Sequence, residues 1–126
     1  MYFYLNRFIV YEHKKQPLAP VHIYYRRLWK NFFFAFLILS ICLLLGAIGY
    51  KLTIPEFDWY DSLLNASMIL SGMGPVIDAN IILSKTAKVF ASCYALFSGV
   101  MFITTIGIIL APIAHRFFHK LHLEDK

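Results

Sequence analysis

The chain has 126 residues, of which 60% are hydrophobic and 15% are charged, and its formal net charge is +5 at pH 7. A soluble domain usually has about 25% charged residues, so this composition excludes an ordinary soluble domain and predicts one small membrane domain. The basic residues flank apolar stretches and form no separate basic region, which favours attraction to anionic lipid headgroups and argues against nucleic acid binding.

The N-terminal segment, residues 1–31, mixes aromatic and basic side chains, most densely from Tyr24 to Lys30. This mixture is typical of an amphipathic segment at a membrane surface. We therefore expect a cytoplasmic, interfacial segment, with a flexible tail that only carries positive charge as the alternative. The scattered Lys and Arg residues do not fit a cleavable signal peptide.

Two stretches without any charged residue, 32–50 and 89–114, follow in the chain. About 20 helical residues cross the hydrocarbon core of a bilayer, so each stretch predicts a transmembrane helix. Lys and Arg are concentrated in residues 1–31 and in a basic tail, 115–126, whereas acidic residues outnumber basic ones between the spans. The positive-inside rule then predicts that both termini are cytoplasmic.

A short apolar segment, residues 58–71, lies between these spans and begins with acidic residues. At about 1.5 Å per residue a helix of this length is too short to cross a bilayer, and Gly72, Gly74 and Pro75 end it. The chain is therefore predicted to be an all-α membrane protein whose membrane domain, 32–114, has two transmembrane helices flanking a re-entrant helix and a Gly-x-Gly loop, 71–75. Asp61 and Asn65 lie four residues apart on the short helix and would either support the loop from behind or cap and hydrate the outer turn, capping being the assignment for Asp61.

The chemistry of the loop follows from the direction of the short helix. A helix that enters from outside points its carbonyl end towards the bilayer centre, and an extended Gly-rich segment adds more carbonyl oxygens. Both favour a cation, since anion binding needs a helix N-terminus. One chain with two spans cannot enclose a pore, so several copies would surround an axis. The alternative for the glycines is a purely structural turn.

The order span, short helix, Gly-x-Gly and second span resembles the two-transmembrane pore-loop ion channels of the potassium channel superfamily, and it looks like their bacterial members. The resemblance covers residue 32 to about residue 122. Gly72, Met73 and Gly74 match the Gly-Tyr-Gly of the family's selectivity filter, with Ser71 in place of its valine and Leu70 in place of its threonine. Pro75 stands where the family has an acidic residue, so the filter is divergent.

The resemblance implies a homotetrameric cation channel in a bacterial inner membrane. It implies that monovalent cations, potassium first and sodium second, pass along the backbone carbonyls of the filter, and that Gly99 is the gating hinge of the inner helix. It implies no cofactor and no metal beyond the permeant ion. The filter residues it assigns are Leu70, Ser71, Gly72, Met73 and Gly74.

Several residues remain open to two interpretations. The histidines at positions 115, 119 and 122 share a helical face and would either sense pH or anchor the helix at the membrane surface. Thr104 and Thr105 would either wet a cavity or bond back to helix carbonyls, and Pro112 would either kink the second span at a gate or be an ordinary membrane-helix proline. No cluster of nucleophile, acid and base occurs, so an enzyme is not expected.

The rival function is a non-conducting accessory or scaffold protein that packs on a partner. It would use small residues as contact surfaces. These residues are Gly46, Gly49, Ser98 and Gly99.

Overall fold

A computed structural model describes residues 20–124, and within these residues all regular secondary structure is helical. The helices are α1 (Val21–Thr53), α2 (Trp59–Leu70) and α3 (Lys85–Glu124). The all-α prediction is thus confirmed, and α2 lies where the sequence predicts a short helix.

Helices α1 and α3 form an antiparallel hairpin. Near the end of α1, Gly49 packs against the Phe90 ring of α3, whereas near its beginning Asn31 bonds to the carbonyl of Ile108. Residues early in α1 thus contact residues late in α3, and residues late in α1 contact residues early in α3. The start of α1 and the end of α3 therefore lie at the same end of the hairpin.

The hairpin is held along a narrow seam of small side chains. Ala35 and Cys42 are buried seven residues apart on α1, and Ser98 and Thr105 are buried seven residues apart on α3. A repeat of seven keeps one stripe of each helix facing its partner, and small residues let two backbones approach closely.

Outside this seam most of α1 and α3 is exposed. Each helix is long and apolar enough to cross a membrane, and only 22% of the most apolar window of α1 and 17% of that of α3 is buried. A core helix of a soluble protein would be covered on most sides, so these two helices differ from one. At about 1.5 Å per residue they are about 50 and 60 Å long, longer than the roughly 30 Å hydrocarbon core.

Both long helices extend beyond the uncharged stretches 32–50 and 89–114. Helix α1 begins at Val21 and α3 continues to Glu124, so residues 21–31 and 115–124 are helical and continuous with the predicted spans. No proline or glycine interrupts residues 21–31, so the helix propagates through them. Residues 1–19 of the predicted interfacial segment lie outside the described residues.

A cluster of buried hydrophobic residues lies where α2 packs against the hairpin. Its centre is the buried ring of Tyr50, with its centroid 5.3 Å from that of Phe90 and 6.1 Å from that of Tyr94, both nearly perpendicular. Phe57, in the connection from α1 to α2, covers the same ring. This aromatic cluster fixes α2 against the half of the hairpin that contains the α1–α2 connection.

The two buried tyrosines of this cluster are expected to respond differently to loss of the hydroxyl group. Tyr94→Phe removes hydrogen bonds to the carbonyls of Cys42 and Ala66 and should lower the free energy of unfolding by about 0.5–1.5 kcal/mol. Tyr50→Phe removes a buried hydroxyl that has no partner among the described residues, so it should be neutral or stabilising. Denaturant unfolding in mixed micelles, followed by circular dichroism, measures both; equal losses would contradict the assignment.

Candidate functional site

The candidate site is the loop that follows α2, and its position depends first on how α2 begins. Asp58 is the N-cap, and its carboxylate accepts a hydrogen bond from the Asp61 N–H at 2.7 Å, while the Asp61 carboxylate accepts one from the Asp58 N–H at 3.3 Å. This reciprocal capping box satisfies two N–H groups that the helix leaves unpaired. Asp61 therefore caps α2 at the end opposite the glycine loop.

Helix α2 ends in a Schellman motif built on Gly72. The Gly72 N–H donates to the Ile69 carbonyl at 3.0 Å, and the Met73 N–H donates to the Met68 carbonyl at 2.8 Å. This arrangement requires a left-handed residue after the C-cap, and Gly72 has φ of 85°. Leu70 is the last helical residue, and its side chain is buried, so the chain leaves the helix at Ser71 and the loop proper begins there.

The N–H groups and the carbonyl groups of the loop point to different surroundings. The N–H groups of Ser71, Gly72 and Met73 all donate back to carbonyls of α2. Among the described residues, by contrast, no hydrogen bond is accepted by any carbonyl of residues 70–74. The first three N–H groups of the loop are thus turned inward, whereas its carbonyls are exposed at the carbonyl end of a helix dipole, which favours cations over anions.

Asn65 closes the loop from behind. Its side chain is 1% exposed, its Nδ2 donates to the carbonyls of Asp61 at 2.9 Å and Val76 at 3.0 Å, and its Oδ1 accepts from the Val76 N–H at 2.8 Å. The amide thus pairs with both backbone groups of Val76, as a neighbouring strand would. Of the two interpretations for this residue, the geometry corresponds to support behind the loop, whereas Asp61 only caps.

Tyr94 determines how far α2 reaches along the hairpin. Its hydroxyl lies 3.2 Å from the carbonyl oxygen of Cys42 and 3.4 Å from that of Ala66. Ala66 of α2 is therefore level with Cys42, which lies well inside α1. Leu70 follows one helical turn later, so the loop lies beside the central part of the hairpin.

The predicted hinge, Gly99, is not part of this site. It lies within α3 with open space where a side chain would be. Thr104 and Thr105 both bond back to carbonyls of their own helix, at 2.8 and 2.6 Å, which is the second of their two interpretations. The rings of His115 and His119 lie 5.9 Å apart near the end of α3, far along the helix from the loop.

The glycines have separate roles that their sequence spacing does not distinguish. Gly46 and Gly49 provide space for aromatic rings of α3, so they hold the hairpin together. Gly72 provides a left-handed conformation. Gly74 and Gly99 have neither a close neighbour nor a positive φ among the described residues, so packing and backbone conformation within the single chain do not require glycine at these positions.

Sequence reasoning misses two contributors to the site and its support. Val76 acts only through its backbone, which no residue pattern reveals. Tyr94 has a signal, since tyrosine prefers membrane interfaces and this one falls inside an apolar span.

Neither family models, curated proteins nor solved structures match this chain. The functional argument therefore depends on the geometry of the loop and its supports. That geometry combines exposed carbonyls after a helix C-terminus with a buried amide that holds the returning chain at Val76.

The Asn65 support can be tested at a single amide. Asn65→Leu keeps a side chain of similar size but removes both bonds to Val76, which should cost about 1–3 kcal/mol because buried backbone groups lose their partners. The Val76 amide proton should lose its protection from hydrogen exchange, measured by nuclear magnetic resonance. Asn80→Leu is the matched control, because Asn80 is exposed and, among the described residues, its side chain bonds to Asp78 alone. An equally protected Val76 amide in Asn65→Leu would refute the support.

Proposed function

We propose that this chain is one subunit of a homotetrameric cation channel, in which the loops of the copies converge on a central axis. The observation that carries the proposal is the loop itself, whose first three N–H groups are turned back into α2 while the carbonyls of residues 70–74 accept no hydrogen bond from the described residues. Carbonyl oxygens that replace the hydration shell are how a cation filter works.

The proposal places α1 and α3 across a membrane and α2 as a re-entrant helix. An unpaired backbone carbonyl in hydrocarbon costs several kcal/mol, so the loop must line water or bind ions if it lies at that depth. Lys and Arg residues lie at the start of α1 and at the end of α3, which are adjacent in space. By the positive-inside rule they favour a cytoplasmic position for both termini. The resemblance to bacterial pore-loop channels suggests a bacterial inner membrane.

A ring of copies is needed for two physical reasons. One hairpin with one short helix cannot surround an ion. The loop is also exposed in a single chain, with Met73 at 59% and Val76 at 51%, which leaves apolar side chains beside the carbonyls without cover. Closed symmetry would bring four loops together so that the carbonyls face the axis and the apolar side chains pack between subunits.

The proposed ion is monovalent, with potassium first and sodium second, and no other cofactor is proposed. Selectivity depends on how many carbonyls are held and how firmly. Asn65 holds the returning arm of the loop at Val76, and the Schellman motif holds the departing arm, so both arms have a defined support. Gly74 and Pro75, between the two arms, have no such support among the described contacts.

The rival function, a non-conducting scaffold, is weakened by the positions of its contact residues. Gly46 and Gly49 are covered by the rings of Tyr94 and Phe90 in the same chain, and Ser98 is fully buried. These residues join α1 to α3 and are not free for a partner. Of the small residues that the rival function requires, Gly99 alone faces open space.

Ion flux into liposomes tests the proposal when the two loop glycines are compared. Gly74 has no positive φ and no close neighbour within the chain, so Gly74→Ala should leave the folding of the chain unchanged while crowding the axis of the ring. Flux of potassium and sodium should fall about tenfold or more, an increase in the barrier of about 1.4 kcal/mol. A larger organic cation serves as the impermeant reference.

Gly72→Ala is the contrasting variant, because its left-handed conformation costs a side-chain residue about 1–2 kcal/mol. It should therefore lower stability as well as flux. Wild-type protein that forms no ring larger than a dimer, or that carries no flux above empty liposomes, would refute the channel. Unchanged flux in Gly74→Ala would refute the assignment of the filter.

A further inference from the structure

Helix α3 continues through a proline. Pro112 is buried within α3, which runs unbroken to Glu124. Proline has no N–H, so the carbonyl four residues earlier, that of Ile108, loses its partner in the helix. In an apolar setting such a carbonyl is costly unless another group donates to it.

The missing donor comes from the other long helix. Asn31 of α1 donates from Nδ2 to the Ile108 carbonyl oxygen at 3.0 Å, across 77 positions of sequence. The amide is partly buried and lies at the border between the basic start of α1 and its uncharged stretch. The hydrogen bond that Pro112 removes from α3 is thus replaced by one between α1 and α3.

A second contact joins the same two segments. The guanidinium group of Arg116, one turn beyond Pro112, lies over the ring of Tyr24 with its Cζ 4.6 Å from the ring centroid. This distance is within the range of a cation–π interaction. The last turns of α3 are therefore held against the first turns of α1 on both sides of the proline.

We propose that Asn31 and Pro112 form a latch, in which the Asn31 hydrogen bond keeps the part of α3 beyond Pro112 aligned beside α1. While the Asn31 bond to Ile108 is present, the segment beyond Pro112 stays beside α1. When that bond is absent, the Ile108 carbonyl loses the donor that compensates for the helical hydrogen bond missing at Pro112, and α3 bends there. The pivot of α3 is thus at Pro112, near the end proposed to be cytoplasmic, and the latch exists whether or not the protein conducts ions.

The latch can be tested by measuring the distance between two spin labels within one chain. The labels are placed at the exposed positions Val21 and Leu121, after replacement of the native cysteines 42 and 93 by alanine. Labelled chains are diluted into an excess of unlabelled chains in liposomes, so that only distances within one chain are observed. The full chain should give one narrow distance distribution.

Asn31→Leu should abolish that narrow distribution, because the Ile108 carbonyl loses the side-chain donor that replaces the missing proline N–H. The double variant Asn31→Leu with Pro112→Ala should restore it, because alanine supplies the helical N–H that proline lacks. Asn80→Leu, in an exposed connection, should leave the distribution unchanged. Circular dichroism confirms that each variant is folded, and Asn31→Ala replaces Asn31→Leu if the leucine variant does not insert.

Two results would overturn the latch. One is a distribution in Asn31→Leu as narrow as that of the parent chain. The other is a loss of the narrow distribution in Asn31→Leu that Pro112→Ala does not restore, because the effect of Asn31 would then be independent of the proline. Neither result bears on conduction, which the flux assay measures separately.

Discussion

This structure depends on one constraint. Backbone N–H and C=O groups that have no hydrogen-bond partner in their own helix must find one elsewhere, in a chain with few polar side chains. Two asparagine side chains supply them, from 11 and 77 positions away in the sequence. Asn65 pairs with both backbone groups of Val76, and Asn31 donates to the carbonyl that Pro112 leaves unpaired. Tyr94 adds a hydroxyl that joins all three helices. In an apolar environment each such bond is stabilising because the alternative is an unsatisfied group.

The loop after α2 is the place where this rule is not met within one chain. Its first N–H groups are satisfied by the helix terminus, whereas its carbonyls accept no hydrogen bond from the described residues. The same motif that ends the helix therefore shapes the acceptor surface, because it turns the N–H groups of Ser71, Gly72 and Met73 inward. In other respects this is an ordinary helix terminus. A cation channel is proposed because the motif that ends the helix also leaves carbonyl oxygens exposed for an ion.

The sequence by itself determined much of the secondary structure. Uncharged stretches, an acidic start and a Gly-x-Gly-Pro stop predict two long helices and a short one, because charge, length and helix breakers act locally. Helix α1 extends beyond its uncharged stretch, back to Val21, because nothing in residues 21–31 stops a helix. For the candidate site, the sequence places the loop and predicts its preference for cations from the direction of α2.

Only the tertiary structure decided which residues meet. Asn65 could cap or support the loop, and its pairing with Val76 follows from the return path of the chain. The partners of Tyr94 and Asn31 lie 28 to 77 positions away. Such contacts depend on the register of α1 against α3, which is set by the packing of aromatic rings on glycines and not by any local pattern.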